Sequence, residues 1–264
     1  MNTIALITDF GMADGFVGTM KGVISTIAPQ AHVIDISHES APQHTHHAAF
    51  VLWSSYKYFP EETVFVVVVD PGVGSERRII LVEDSDGKKF IVPENGILRF
   101  ILPDLKNPKA YQVNNSKYWL TPLSSTFHGR DIFAPVAAHL VNGVRGEHLG
   151  DRIELPIPES PFISVDKSPD ELRGKILHSD RFGNLITNIR PKFEKLDELS
   201  AYSLEIGNRH IDTVKKTYAD GDYGELIAMV GSAGLIEIAV RNSSAQQMLG
   251  LRIGDPVFIR RKDV

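Results

Sequence analysis

Thr63-Val64-Phe65-Val66-Val67-Val68-Val69-Asp70 is the stretch on which the fold turns. Four consecutive valines follow a phenylalanine, with no polar residue alternating among them. Such a run fits a strand covered on both faces, as in a parallel sheet flanked by helices. Working outward, Ile4–Asp9 is a second short apolar run ending on a carboxylate. Phe16, Val17, Met20, Val23, Ile24 and Ile27 then recur at the spacing of one helical face, which predicts a helix over 14–28. Val33–Ser37 reads as a strand, 43–58 as a helix, 78–84 and 88–93 as strands, and 95–103 and 130–142 as helical pieces. Residues 1–155 are therefore expected to form an α/β domain with a mostly parallel sheet flanked by helices.

The pattern changes near residue 155. Pro156, Pro158, Pro161 and Pro169 disfavour helix and ladder alike, so 156–171 reads as a proline-rich linker. Residues 172–264 carry short β segments at 173–179, 184–189, 202–207, 225–230, 235–240 and 256–261, separated by glycine-bearing turns. A smaller β-barrel-like domain is expected there.

A formal net charge of −5 argues against nucleic acid as a partner. No run of about 18 apolar residues offers a membrane-spanning helix. The chain has no cysteine, which removes disulfides, thiolate zinc sites and cysteine nucleophiles together. The start of the chain reads directly as a strand rather than a signal peptide, so a cytoplasmic location is expected.

Three clusters lie where an open α/β sheet binds ligands, beyond the carboxyl ends of strands. Thr8-Asp9-Phe10-Gly11 with Asp14 could hold a polyhydroxylated ligand or an amine; alternatively, Asp9 caps a turn and Asp14 the next helix. Asp70-Pro71-Gly72-Val73-Gly74 leads back to Arg77 and Arg78. A structural Asp–Arg turn pair is one reading, but a carboxylate ending a four-valine run is costly to bury without a role, which favours a functional one. Phe127-His128-Gly129-Arg130-Asp131 precedes an apolar helix, and His128 could face a cleft. His38, His44, His46 and His47 suggest a metal at first sight, but no His-Glu-x-x-His spacing accompanies them, and they read as a polar helix start. In the second domain, Asp180, Phe182, Asn184, Tyr218, Gly231-Ser232-Ala233-Gly234 and Arg241-Asn242-Ser243 combine flat rings, amides and hydroxyls of the kind that recognise an adenine.

In this order the clusters resemble the SAM hydroxide adenosyltransferases, relatives of the enzymes that transfer fluoride or chloride to S-adenosylmethionine. The resemblance runs from Ile7-Thr8-Asp9-Phe10-Gly11 to Ile238-Ala239-Val240-Arg241-Asn242. It implies hydrolysis of S-adenosylmethionine to adenosine and methionine, with no metal or other cofactor. Asp70, Arg77 and His128 would hold the attacking water. Asp9 would grip the ribose hydroxyls, and Asp14 would meet the methionine ammonium. Asp180 and Ser232 would serve the methionine portion. Phe182, Asn184 and Tyr218, with the Arg241–Ser243 backbone, would form the adenine pocket. A homotrimer with sites between subunits is implied as well. In the fluoride-transferring relatives a tyrosine, a threonine and a serine stand at the positions of Asp70, Val73 and Gly129, and an arginine at that of Ala233. A carboxylate at position 70 disfavours a bare halide and favours water. The rival readings are a non-catalytic adenosine or S-adenosylmethionine binding protein, and a metal-dependent hydrolase built on the histidines and Asp9.

Overall fold

A computed structural model describes residues 2–165, 171–191, 202–212 and 214–262. The chain divides into two units, 1–159 and 160–264. Pro156, Pro158 and the chain to 159 fall in the first unit and Pro161 in the second, while Pro169 lies outside the described residues.

In the first unit the elements run β1 (Thr3–Thr8), α1 (Phe16–Ile27), β2 (His32–Ser37), α2 (Thr45–Ser55), β3 (Val64–Val68), β4 (Ile79–Glu83), β5 (Lys89–Pro93), β6 (Lys109–Gln112), α3 (Ala134–Val141) and β7 (Arg152–Ile153). One seven-stranded sheet has the order β2-β1-β3-β5-β4-β6-β7. The β2-β1-β3-β5 half is parallel, and β4, β6 and β7 continue it antiparallel.

The valine run is β3, and every residue of it is buried. Side chains alternate across a strand, and here both sides find cover. Val64, Val66 and Val68 belong to the same core as Met20 and Ile24 of α1 and Val136, Ala137 and Leu140 of α3. On the other face Phe65 stacks on Phe90 at 5.1 Å, and Phe59 and Tyr56 close around them edge-on. Each fully buried Val or Phe contributes roughly 1.5–3 kcal/mol, so this strand anchors the unit. Pro71 brings no N–H to continue the ladder, and the Val69 carbonyl accepts instead from Asn95 Nδ2 at 2.9 Å.

Three local readings are refined. The helix expected over 14–28 begins at Phe16, and Phe16 itself stays 45% exposed, edge-packed on Phe10 and Phe127. The 95–103 piece is two 3-10 turns, Ile97–Phe100 and Leu102–Asp104. The 130–142 piece opens as a π-helical turn, Gly129–Phe133, before α3.

The second unit contains β8 (Ile163–Val165), β9 (Glu171–Ser179), β10 (Leu185–Thr187), β11 (Ile189–Pro191), β12 (Tyr202–Ile206), β13 (Arg209–Ile211), β14 (Val214–Lys215), β15 (Leu226–Val230), β16 (Ile236–Val240), α4 (Ala245–Leu249) and β17 (Pro256–Arg261). Eight strands form the sheet β13-β12-β17-β9-β10-β16-β15-β14, and β8 and β11 pair separately. The sheet curls so that β13 comes against β15, giving a nearly closed barrel around Ile176, Leu185, Leu204, Ile236 and Ile238.

Candidate active site

Beyond the carboxyl end of β3 the chain makes two consecutive turns, with Val73 N donating to the Asp70 carbonyl and Ser75 N to that of Gly72. This brings Arg77 back onto Asp70. Arg77 Nε donates to both Asp70 oxygens, at 3.0 and 2.8 Å, and Nη2 also meets Oδ2. The same Nη2 donates to His128 Nδ1 at 3.0 Å. Asp70, Arg77 and His128 thus form one continuous chain of hydrogen bonds, and the Asp70 and Arg77 side chains are only 4% and 12% exposed.

The chemistry of that chain fixes a proton. A guanidinium has donors and no acceptor, so His128 Nδ1 must accept. The neutral ring then carries its proton on Nε2. Burial is the main force lowering the His128 pKa below the ordinary histidine value, and the adjacent Arg77 charge adds to it. His128 is therefore a neutral ring presenting an N–H donor.

Two glycines let the loops close. A Cβ on Gly74, whose φ is +78°, would lie 2.7 Å from the Ser125 carbonyl oxygen. On Gly129 it would press against Met20 Sδ at 3.2 Å and the Phe10 and Phe127 rings at 3.4 Å. Position 129 accordingly has little room for a side chain. Asp131, buried below this turn, accepts from Ser124 N at 2.7 Å and pairs with Arg130, and so sets the loop that carries His128.

Asp9 does not cap its own turn. Its Oδ2 accepts from Gln43 N at 2.7 Å, joining the end of β1 to the segment before α2. Asp14 is exposed and caps nothing: Gly15 is the helix N-cap, without a side-chain bond. Among the histidines, His44 caps α2 by accepting from His47 N at 3.3 Å, and His46 packs edge-on against Phe100. His38 is buried, with Nδ1 2.9 Å from Thr8 Oγ1. Among the described residues no group of three or more His, Cys, Asp or Glu is placed to hold a metal ion.

In the second unit Asp180 folds its own turn. Oδ1 accepts from Phe182 N and Asn184 N, and Oδ2 from Asn184 Nδ2, all at 2.9 Å. This lifts Phe182 into the open, 76% exposed, while Asn184 is buried beside it. Phe182, Asn184, Tyr218, Arg241 and Ser243 all line one open pocket of about 660 Å³. Five residues expected to recognise an adenine are thus brought together. Ser232 sits exposed on the 231–234 turn outside that lining, and Asp180, also outside it, holds the turn that carries Phe182 and Asn184. Sequence reasoning missed Glu237, whose carboxylate accepts the Tyr218 hydroxyl. The only signal for it was a lone acid between Ile236 and Ile238 of β16.

A mixed-sheet α/β unit carrying an Asp–Arg–His chain beyond a parallel strand, followed along the chain by a β-barrel unit with an aromatic and amide pocket, defines the class. The chain belongs to the SAM hydroxide adenosyltransferase family: the profile of the family's N-terminal domain matches residues 4–150 and that of its C-terminal domain residues 174–258. Among its relatives, the (R)-S-adenosyl-L-methionine hydrolase of Thermus thermophilus is 35% identical, over 97% of this chain and 99% of its own length. The hydrolase of the same name from Methanocaldococcus jannaschii is 33% identical, over 98% and 96%. The fluorinase of Actinopolyspora mzabensis is 26% identical, over 98% and 97%. A crystal structure of an uncharacterized conserved protein from Thermotoga maritima superposes with a TM-score of 0.85 at 35% identity, covering 98% of this chain and all of that one.

Proposed function

We propose that this protein hydrolyses S-adenosylmethionine to adenosine and methionine by in-line attack of water on the ribose 5′ carbon. The hydrolase relatives carry that substrate in their names and match nearly the whole length of the chain. The observation that carries the reading is the Asp70–Arg77–His128 hydrogen-bond chain beyond β3.

The new bond joins the water oxygen to C5′. The C–S bond breaks with its electron pair on sulfur, and a positive sulfonium becomes the neutral thioether of methionine. A thioether leaves without a proton, so neither a general acid nor a cofactor is written into the step. The difficulty is the nucleophile. Asp70 oxygens retain acceptor capacity beyond the Arg77 bonds, and Asp70 takes the water proton. As Asp70 takes the proton its own negative charge is lost, and the Arg77 charge it had matched then favours the developing hydroxide. His128 has no free lone pair in this tautomer, so it serves as a donor that orients the oxygen rather than as the base.

For the remaining parts of the substrate, Asp9 is assigned to the ribose hydroxyls and Asp14 to the methionine ammonium. Phe182, Asn184, Tyr218 and the Arg241–Ser243 backbone are assigned to the adenine. Asp180 and Ser232 serve the methionine portion, with backbone donors replacing the arginine that Ala233 lacks. A cytoplasmic homotrimer, each site completed by a neighbouring subunit, belongs to the same proposal; sedimentation tests it. Among the described residues no helix is long and apolar enough to cross a membrane.

Turnover in heavy-oxygen water tests the reaction. The label is expected in the 5′ hydroxyl of adenosine. Label-free adenosine would refute the attack on C5′, and ligand recovered intact after hours would leave a binding protein instead.

A further inference from the structure

Glu237 lies on β16, one of the central strands of the barrel sheet, and is only 7% exposed. Its Oε1 accepts the hydroxyl of Tyr218, a pocket-lining ring that is itself 45% exposed. Its other oxygen lies against a different element. A Cβ on Gly231 would fall 2.2 Å from Glu237 Oε2, so the 231–234 turn rests directly on this carboxylate. The Tyr218 backbone is already fixed independently. Thr217 and Asp220 close a capping box around the Tyr218–Asp220 turn, and Arg241 Nη1 donates to the Ala219 and Gly221 carbonyls at 3.2 and 2.6 Å. The freedom left to Tyr218 is rotation of its side chain, and the bond to Glu237 removes it.

A carboxylate is a costly way to fill this space. Burial, reinforced by the charge of Asp180, raises the Glu237 pKa, and the Tyr218 hydroxyl is raised in turn, chiefly by burial. Apolar side chains of similar volume would fill the barrel wall at least as well. What they would not do is orient a half-exposed ring.

We infer that Glu237 is a positioning residue for nucleoside recognition, locking the Tyr218 ring as one wall of the pocket and supporting the 231–234 turn beneath Ser232. The inference rests on the reading of this pocket as the adenine site. It assigns to Glu237 a contribution to substrate affinity rather than to the chemical step.

The test uses the full-length protein, adenosine as the calorimetric probe and S-adenosylmethionine for kinetics. Tyr218→Phe and Glu237→Leu are each expected to weaken adenosine binding about five- to tenfold, the scale of one ordinary hydrogen bond. Because both remove the same contact, the double variant should be no weaker than the worse single one. Glu237→Gln keeps an acceptor for the Tyr218 hydroxyl and should restore binding to within about twofold of native. In kinetics the losses should appear in KM rather than kcat. Losses that multiply in the double variant overturn the inference, as does a Glu237→Leu protein with lowered melting temperature but native adenosine affinity. Tyr218→Phe removes one oxygen from a half-exposed side chain and does not threaten the fold, so native affinity in that variant alone is also decisive. Failure of the pocket reading looks different: Phe182→Ala and Asn184→Ala would then both bind adenosine as the native protein does.

Discussion

Arg77→Lys isolates what the guanidinium does, because it keeps the charge and discards the geometry. In the native protein one planar group donates to both Asp70 oxygens through Nε and to His128 through Nη2. An ammonium on a flexible stem can meet Asp70 or His128 but cannot reproduce the fork. About two charge-assisted bonds are lost, each worth roughly 1.5–3 kcal/mol when its partner stays dry. Arg77 is 12% exposed, so water replaces part of that. The net cost to stability should be about 1–3 kcal/mol, and the melting temperature of a domain this size should fall by roughly 2–4 °C for each kcal/mol. The effect on turnover should be larger. His128 loses the bond that fixes its tautomer and Asp70 loses its orientation, and misplacement by about 1 Å costs on the order of a hundredfold. Adenosine release measured by chromatography should therefore show kcat reduced about 10²- to 10³-fold. A Lys variant that folds and turns over within about threefold of native would show that charge alone suffices, and would refute the positional argument.

Other perturbations probe the neighbouring elements. The His128 pKa is lowered by burial and by Arg77, so the unfolded chain binds its proton first as pH falls. Stability contributed by neutral His128 is complete above the ordinary histidine value of about 6.5 and is lost as pH drops through the folded pKa below it. The part of the acid limb of kcat that His128 sets should lie below pH ~6.5 and be absent in His128→Gln, and a His128-dependent limb above that value contradicts the assignment. Gly74→Ala places a Cβ against the Ser125 carbonyl at positive φ; denaturant unfolding should show a loss of about 1–3 kcal/mol. Asp180→Ala strands three donors of the 180–184 turn, and adenosine affinity should fall at least about tenfold, the scale of leaving buried donors unpaired. Asp70→Ala should abolish turnover while leaving adenosine binding intact by calorimetry.

The sequence made β3 legible because a strand covered on both faces needs no polar alternation, and Phe65 and Val66 do find cover on opposite sides. The Asp70 and Arg77 pairing was readable for a local reason: the intervening Pro71, Gly72 and Gly74 permit only a tight return. His128 lies 51 residues beyond Arg77, and no periodicity brings two such positions together. It was found through family resemblance. Strands β6, β7, β13 and β14, and β8 inside the stretch read as a linker, escaped notice because two to four residues carry no pattern of their own and owe their pairing to neighbours. Glu237 was hidden by its own alternation. An acid between two isoleucines reads as the wet face of a strand, and only the tertiary approach of Tyr218 and Gly231 makes that face dry.

The mutual neutralisation of Asp70 and Arg77 has a bearing on salt. A halide entering this loop meets a guanidinium whose charge is already matched by the carboxylate bonded directly to it, and gains little there for the hydration it must give up. Water, which carries no charge and can both donate and accept, is indifferent to that balance. The site should therefore tolerate chloride at concentrations that would compete in an anion-binding relative, and its rate should track ionic strength no more steeply in chloride than in acetate. Selectivity of this kind would need no filter, only a site that leaves no uncompensated charge for an ion to find.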